Sequence, residues 1–275
     1  MTGNAEHLPQ PRLTADKLSI GYGAKTVVEG IALQIANNQL TALLGPNGSG
    51  KSTLLSAFAR LLPARHGSVL LDGHDIARQP TLQVARRLGM LPQQPPVPEG
   101  ISTFDLVARG RFPHQGFLRH WSRADEAAVA DAIALTGIAD LAERPVESLS
   151  GGQRQRVWIA MVLAQETPLL LLDEPTTFLD VAHQVAILDL LRDLVHKHGR
   201  TVVCVLHDLN MALQYADHLV FLKNGTVRHR LADPALCTCA IVEDVFDLAC
   251  VSVPHPQTGL PVFLPGTMAV PGHSA

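Results

Sequence analysis

The chain has 275 residues, of which 47% are hydrophobic and 17% charged, and its net charge is −3. This composition excludes a disordered chain, and the length gives one or two domains whose core needs no disulfide or metal staple. The charge argues against nucleic-acid binding through a broad basic surface. The longest uninterrupted apolar run is Val157 to Ala164, far short of the 18 or more residues of a membrane span, and the polar N-terminus lacks a signal segment. A role at a membrane would need another chain to cross it.

In chain order, residues 1–12 read as a loose polar tail. Leu18, Ile20 and Val27 to Ile35 predict short strands about a Gly21-Tyr22-Gly23 turn. Thr41 to Leu44 is a short apolar run entering a glycine-rich loop, and Lys51 to Leu62 has helical periodicity. Gly67 to Asp72 alternates like a strand, and residues 81–90 read as helix before a Pro/Gln-rich loop. From Pro95 to about Arg144 the chain reads as mainly helical, with Asp125 to Leu141 alanine-rich and periodic, and a further helix runs from Gly151-Gly152 to about Gln165. Leu169 to Leu172 and Val202 to Leu206 are continuous apolar runs, the pattern of strands buried on both faces of a parallel sheet. Ala182 to Val195 between them is an amphipathic helix, and Lys223 to Thr226 is a tight hairpin turn. From Ser252 onward the chain is rich in Pro and Gly, with no assigned structure. The four cysteines, among them the Cys237-x-Cys239 pair, read as reduced structural thiols, and the thirteen histidines form no metal-binding spacing.

Three segments carry chemistry. Gly45-Pro46-Asn47-Gly48-Ser49-Gly50-Lys51-Ser52-Thr53 fits the phosphate-loop pattern G-x-x-x-x-G-K-[ST]. A strand delivers the glycine-rich loop, whose amides and following helix start favour phosphate. Lys51 supplies a point charge to the β- and γ-phosphates of a nucleoside triphosphate, and the Ser52 hydroxyl is a ligand for Mg2+. Leu169 to Leu172 ends in Asp173-Glu174, and ligands in such sheets sit beyond the carboxyl ends of the strands. Asp173 is therefore placed for Mg2+ and Glu174 to polarise an attacking water. Leu149-Ser150-Gly151-Gly152-Gln153 opens a helix. Ser150 there is an N-cap in the plainest reading, while Gly151-Gly152 present a second set of anion-binding amides. Two phosphate-binding helix starts with one complete phosphate loop suggest a head-to-tail dimer in which each copy closes over the other's nucleotide.

With GPNGSGKST, LSGGQ, LLLLDEP and VLHD in that order, the chain resembles the ATP-binding subunit of ABC transporters over residues 13–250. The resemblance implies an α/β fold: a P-loop NTPase (RecA-like) core with a parallel sheet, an antiparallel β subdomain and an inserted α-helical subdomain at about 96–160, followed by a C-terminal extension at 251–275. It implies ATP and Mg2+ as ligands. Tyr22 looks like the aromatic that stacks on adenine, with a core tyrosine as the competing reading. Gln93, or its neighbour Gln94, looks like the glutamine that touches Mg2+ and water. Ser150, Gly151, Gly152 and Gln153 look like signature contacts made in trans, Asp180 like the loop coupling the two sites, and His207 like the switch histidine that orients Glu174.

Val107 to His114 and the stretch following the signature look like importers of ferric siderophores (the enterobactin and hydroxamate groups), with haem and cobalamin importers as close relatives. The implied partners are a second copy, integral-membrane permease subunits and, indirectly, an extracytoplasmic binding protein, with the chain peripheral at the cytoplasmic face of the membrane. An apolar groove beside Gln93 would receive a permease helix, with Phe112, Phe117 and Trp121 as candidate contacts. Rivals within the superfamily fit less well. A chromosome or repair ATPase would carry a long coiled coil, a translation factor two cassettes, and a regulatory module would lack Glu174 or His207.

Overall fold

The computed structural model describes residues 11–97, 99–115, 121–177 and 179–266. Most of the expected N-terminal tail, and Phe117, therefore lie outside the described residues. β1 (Leu13–Tyr22) and β2 (Lys25–Ile35) form a hairpin, and β3 (Leu40–Leu44) leads through the glycine-rich loop into α1 (Lys51–Phe58). β4 (His66–Leu71) and β5 (His74–Asp75) return to the hairpin and complete an antiparallel sheet ordered β2-β1-β4-β5. After α2 (Thr81–Ala85) and β6 (Leu88–Leu91) come α3 (Thr103–Ala108), α4 (Arg123–Thr136) and α5 (Gly151–Ala164). β7 (Leu169–Asp173), α6 (Val181–His196), β8 (Thr201–Val205), α7 (Leu209–Tyr215), β9 (His218–Lys223) and β10 (Thr226–Leu231) follow. A second sheet has the order β10-β9-β3-β8-β7-β6 and is parallel except at β10, an arrangement of α/β type with a separate antiparallel sheet.

The alternation of side chains along a strand explains how the central strands hold two cores at once. Ala42, Leu44, Leu170, Leu172, Val202 and Cys204 face one way and pack with α5, α6 and α7. Leu43, Leu169, Leu171, Val203 and Val205 face the other way and pack with α1 and the antiparallel sheet. Strands buried on both faces must be apolar throughout, which is why β7 and β8 read as unbroken aliphatic runs.

The helices α3 to α5 are fixed by capping and one buried ion cluster. Ser122 and Asp125 form a capping box at α4, and Gly137, in the left-handed region at φ 61°, ends it. Arg111, in a 3-10 turn at Arg109–His114, donates to Asp125 Oδ1 at 2.9 Å, to the Ala164 carbonyl at 2.7 Å and to Glu166 Oε2 at 2.7 Å. The Ser122 hydroxyl, with Arg111 helping against the cost of burial, holds the Asp125 carboxyl down at about 2.

Three expectations need correction. Residues 81–90 are not one helix, because α2 stops at Ala85 and Leu88–Leu91 become strand β6, paired in parallel with β7. The sheet overrides the local pattern, and Gly89 permits the approach: a Cβ there would lie 2.8 Å from Thr167 Oγ1 and 3.0 Å from Val162. α1 ends at Phe58 rather than Leu62, since Arg60 turns into the left-handed region at φ 60°. The Gly21-Tyr22-Gly23 turn is displaced, with Gly21 and Tyr22 inside β1.

The C-terminal part also gains structure. α8 (Cys239–Phe246) is followed by a hairpin of β11 (Cys250–Pro254) and β12 (Pro261–Pro265). Phe263 is buried beside α7, where Asn210 clamps it twice: its N–H donates to Asn210 Oδ1 at 2.8 Å and its carbonyl accepts from Asn210 Nδ2 at 3.1 Å.

Candidate active site

β3 delivers Gly45 at φ 145°, and Gly48 and Gly50 also have positive φ, a backbone that side chains other than glycine resist. A Cβ on Gly45 would lie 2.0 Å from the Leu222 carbonyl oxygen, and one on Gly50 2.7 Å from Val28. The loop is braced by the β9–β10 turn: the Gly225 N–H donates to the Ser49 carbonyl at 3.1 Å, and the Gly225 carbonyl accepts from Glu29 N at 3.0 Å. Nothing in the spacing of Asn224-Gly225 marked it as a neighbour of the phosphate loop, because the contact depends on β9 lying beside β3.

Lys51 opens α1, is buried, and donates to the Gly45 and Pro46 carbonyls at 2.8 and 2.9 Å. Burial lowers its pKa, opposed by the charges of Glu174 and Asp173. Ser52 Oγ donates to Asp173 Oδ1 at 2.9 Å, so a hydroxyl and a carboxylate converge beside the loop. Burial raises the Asp173 pKa, with Glu174 adding to the effect and Ser52, Lys51 and His207 opposing it. Two or fewer protein oxygens, with phosphate and water completing the shell, is how Mg2+ is usually held. The hard-oxygen pair Ser52 and Asp173 fits that demand.

Glu174 follows the strand in the left-handed region at φ 53° and is 8% exposed. Its Oε1 lies 2.5 Å from His207 Nε2, and its Oε2 accepts from Thr177 Oγ1 at 3.0 Å. Burial pushes its pKa up, but the hydrogen bonds from His207, Thr177 and Gln93 outweigh burial and leave it below the usual carboxylate range. His207, just beyond β8, keeps its side chain 43% exposed toward solvent. Gln93, in the loop after β6, thus reaches the same carboxylate. Thr177 is a contact that sequence reasoning missed: its only signal was its place three residues after Glu174.

Asn47, Gly48, Gly50, Lys51, Ser52, Thr53, Glu174 and His207 line one cleft of 220 Å3 with Val27. Gly45, Pro46 and Ser49 form the loop's inner side, where the two carbonyls and the Ser49 hydroxyl turn toward Lys51. Tyr22 stands at the tip of the β1–β2 hairpin and is 56% exposed, so it is no core tyrosine.

Ser150, Gly151, Gly152, Gln153 and Asp180 are not among the residues lining that cleft. Ser150 and Gln153 form a reciprocal capping box at α5, and Gly151 has open space at its Cβ position. Asp180 caps α6 and accepts from His183 N at 2.9 Å. The two groups neighbour each other, since a Cβ on Gly152 would lie 3.3 Å from Leu179. The apolar groove of 630 Å3 is lined by Ile101, Phe104, Phe112 and Trp121, among others, whereas Gln93 does not line it.

The comparisons agree with this geometry. Residues 28–177 match the family model described as ABC transporter. The achromobactin transport ATP-binding protein of Dickeya dadantii is 51% identical over 92% of this chain and 94% of its own length. The ferric enterobactin transport ATP-binding protein of Escherichia coli is 46% identical over 92% of this chain and 94% of its own. A solved inward-facing metal-chelate type ABC transporter superposes with a TM-score of 0.79 at 28% identity, covering 92% of this chain and 96% of that one. No helix among the described residues is long and apolar enough to cross a membrane. A phosphate loop, an acidic strand end and a histidine that meet in one cleft, in a chain with these relatives, make it a member of the ABC transporter family, as an ATP-hydrolysing, ATP-binding subunit.

Proposed function

We propose that this subunit energises uptake of a ferric siderophore through separate permease subunits. The observation that carries the reading is the joining of an intact hydrolytic cleft, built on Lys51, Asp173, Glu174 and His207, to near full-length identity with siderophore-transport subunits.

ATP sits with its phosphates on the loop amides and Lys51, and its adenine beside the exposed Tyr22. Ser52 and Asp173 would hold Mg2+, with Gln93 as a further oxygen near it, and the ion would neutralise charge on the phosphates. Lys51 exchanges its bonds to the Gly45 and Pro46 carbonyls for bonds to phosphate oxygens. Glu174, fixed at both oxygens by His207 and Thr177, stays ionised and orients water at the γ-phosphate. Its low pKa suits polarising that water more than stripping its proton, as a loose phosphoryl-transfer transition state requires.

The signature residues Ser150 to Gln153, and Asp180 next to them, lie off the chain's own cleft. They serve the nucleotide of a second copy, so two chains sandwich two ATP molecules. The groove with Phe104, Phe112 and Trp121 seats a cytoplasmic permease helix, which places the subunit at the inner face of the membrane.

Radiolabelled iron uptake in cells lacking the gene tests the reading. Ferric siderophores are supplied singly, with haem and cobalamin in parallel, and rescue is attempted with wild type and Glu174→Gln. The expected result is loss of one siderophore class that only wild type restores. Intact siderophore uptake with lost haem or cobalamin uptake would overturn the cargo and keep the ATPase.

A further inference from the structure

Among the described residues, Cys237, Cys239 and Cys250 gather at the junction of α8 and the C-terminal hairpin, away from the ATP cleft. Two of them come together. Asp247 ends α8 in the left-handed region at φ 54°, and β11 then packs against α8. Cys239, the first residue of α8, and Cys250, the first residue of β11, lie against the same core, and the two thiols are hydrogen-bonding neighbours. Both are partly exposed, whereas Cys237 is buried. No group of three or more His, Cys, Asp or Glu among the described residues is arranged to hold a metal ion.

We propose that Cys239 and Cys250 are a reversible oxidation site that closes to an intramolecular disulfide and staples the C-terminal hairpin to α8. The oxidant is a peroxide. Burial, and then Cys239 beside it, push the Cys250 thiol up to about 11. One of the two thiols, as its thiolate, attacks one peroxide oxygen, the O–O bond breaks, and hydroxide leaves to take up a proton as water. The other thiol then attacks the sulfenic sulfur, the S–O bond breaks, the S–S bond forms, and a second water leaves with that thiol's proton. Two thiols lose two electrons and the peroxide gains two. Cys237, pushed up to about 12 chiefly by burial, stays outside the exchange. The staple secures the hairpin whose Phe263 is held by Asn210 of α7.

The test uses the full-length reduced protein treated with hydrogen peroxide, alkylated and mapped by mass spectrometry. The expected result is loss of two alkylatable thiols, a peptide linking Cys239 to Cys250, and recovery of both thiols with dithiothreitol. The oxidised protein should also melt roughly 4–8 °C higher, as expected for a short closed loop, and its hairpin should resist limited proteolysis. Cys237→Ser should leave the link intact, and Cys250→Ser should abolish it. Peptide mapping of the wild type decides the matter even if a variant misfolds. Independent over-oxidation of single cysteines, or a link that includes Cys237, would overturn the assignment.

Discussion

Two buried charge clusters in this molecule obey opposite rules. Around Arg111 every charge is spoken for, by Asp125, Glu166 and the Ala164 carbonyl, and Ser122 takes up the second oxygen of Asp125. Around Lys51 the cation bonds neutral carbonyls of its own loop, while two carboxylates stand nearby and raise its pKa against burial. The first arrangement is closed and can only hold helices together. The second keeps bonding capacity in reserve on the side of a cleft, where a polyanion can complete it. Saturation separates a structural charge from a working one here, since both clusters are buried.

Several substitutions would break this contrast or sharpen it. Glu174→Gln should cut ATP turnover by about 10²–10⁴-fold while nucleotide binding persists, as read by phosphate release and equilibrium binding on one preparation. Removing a partner from the closed cluster, as in Arg111→Ala, should cost roughly 3–5 kcal/mol of stability in denaturant titration, because Asp125 loses its counter-charge and keeps only the Ser122 bonds, and the Ala164 carbonyl loses its donor. If Arg111→Ala instead spared stability and slowed hydrolysis, the contrast would fail. Gly225→Ala should destabilise by about 1–3 kcal/mol, since φ is 74° and a Cβ would lie 2.1 Å from the Val27 carbonyl.

Thr177→Val removes one hydrogen bond that keeps Glu174 ionised. The Glu174 pKa then rises toward its ordinary value, so the acid limb of the ATPase pH profile should move to higher pH, while turnover near neutrality, well above that value, is spared. The smallest effect concerns Asp125, whose carboxyl, held at about 2, lies below the ordinary aspartate value of about 3.9. It contributes stability above the unfolded value, and that contribution should fade as pH falls from about 4 toward 2. Asp125→Asn should flatten this part of the stability profile, measured as denaturant midpoint against pH.

Much of this was legible in the sequence wherever a local rule and the tertiary fold agreed. β7 and β8 show as aliphatic runs because both faces are covered, and Asn224-Gly225 shows as a hairpin because both residues need positive φ. The phosphate loop and Asp173-Glu174 were found by spacing, and the fold brings the loop and Glu174 to one cleft with Asp173 bonded to Ser52 beside it. The failures occurred where non-local pairing decides. Leu88–Leu91 looks helical until β7 offers it a ladder, and the hairpin after Ser252 depends on Phe263 finding α7. Thr177 was missed because its bond to Glu174 arises from a strained turn that no periodicity encodes.

The Asn224-Gly225 turn has a mechanical consequence. Gly225 bonds the phosphate loop through its N–H and the antiparallel sheet through its carbonyl, so one residue is a rivet between two layers that also share a core. Force applied to the loop by an arriving nucleotide passes into the β1–β2 hairpin, and Tyr22 rides at the end of that lever. The Gly225 amide proton is therefore a natural strain gauge: its exchange with solvent deuterium reports how firmly the loop is seated.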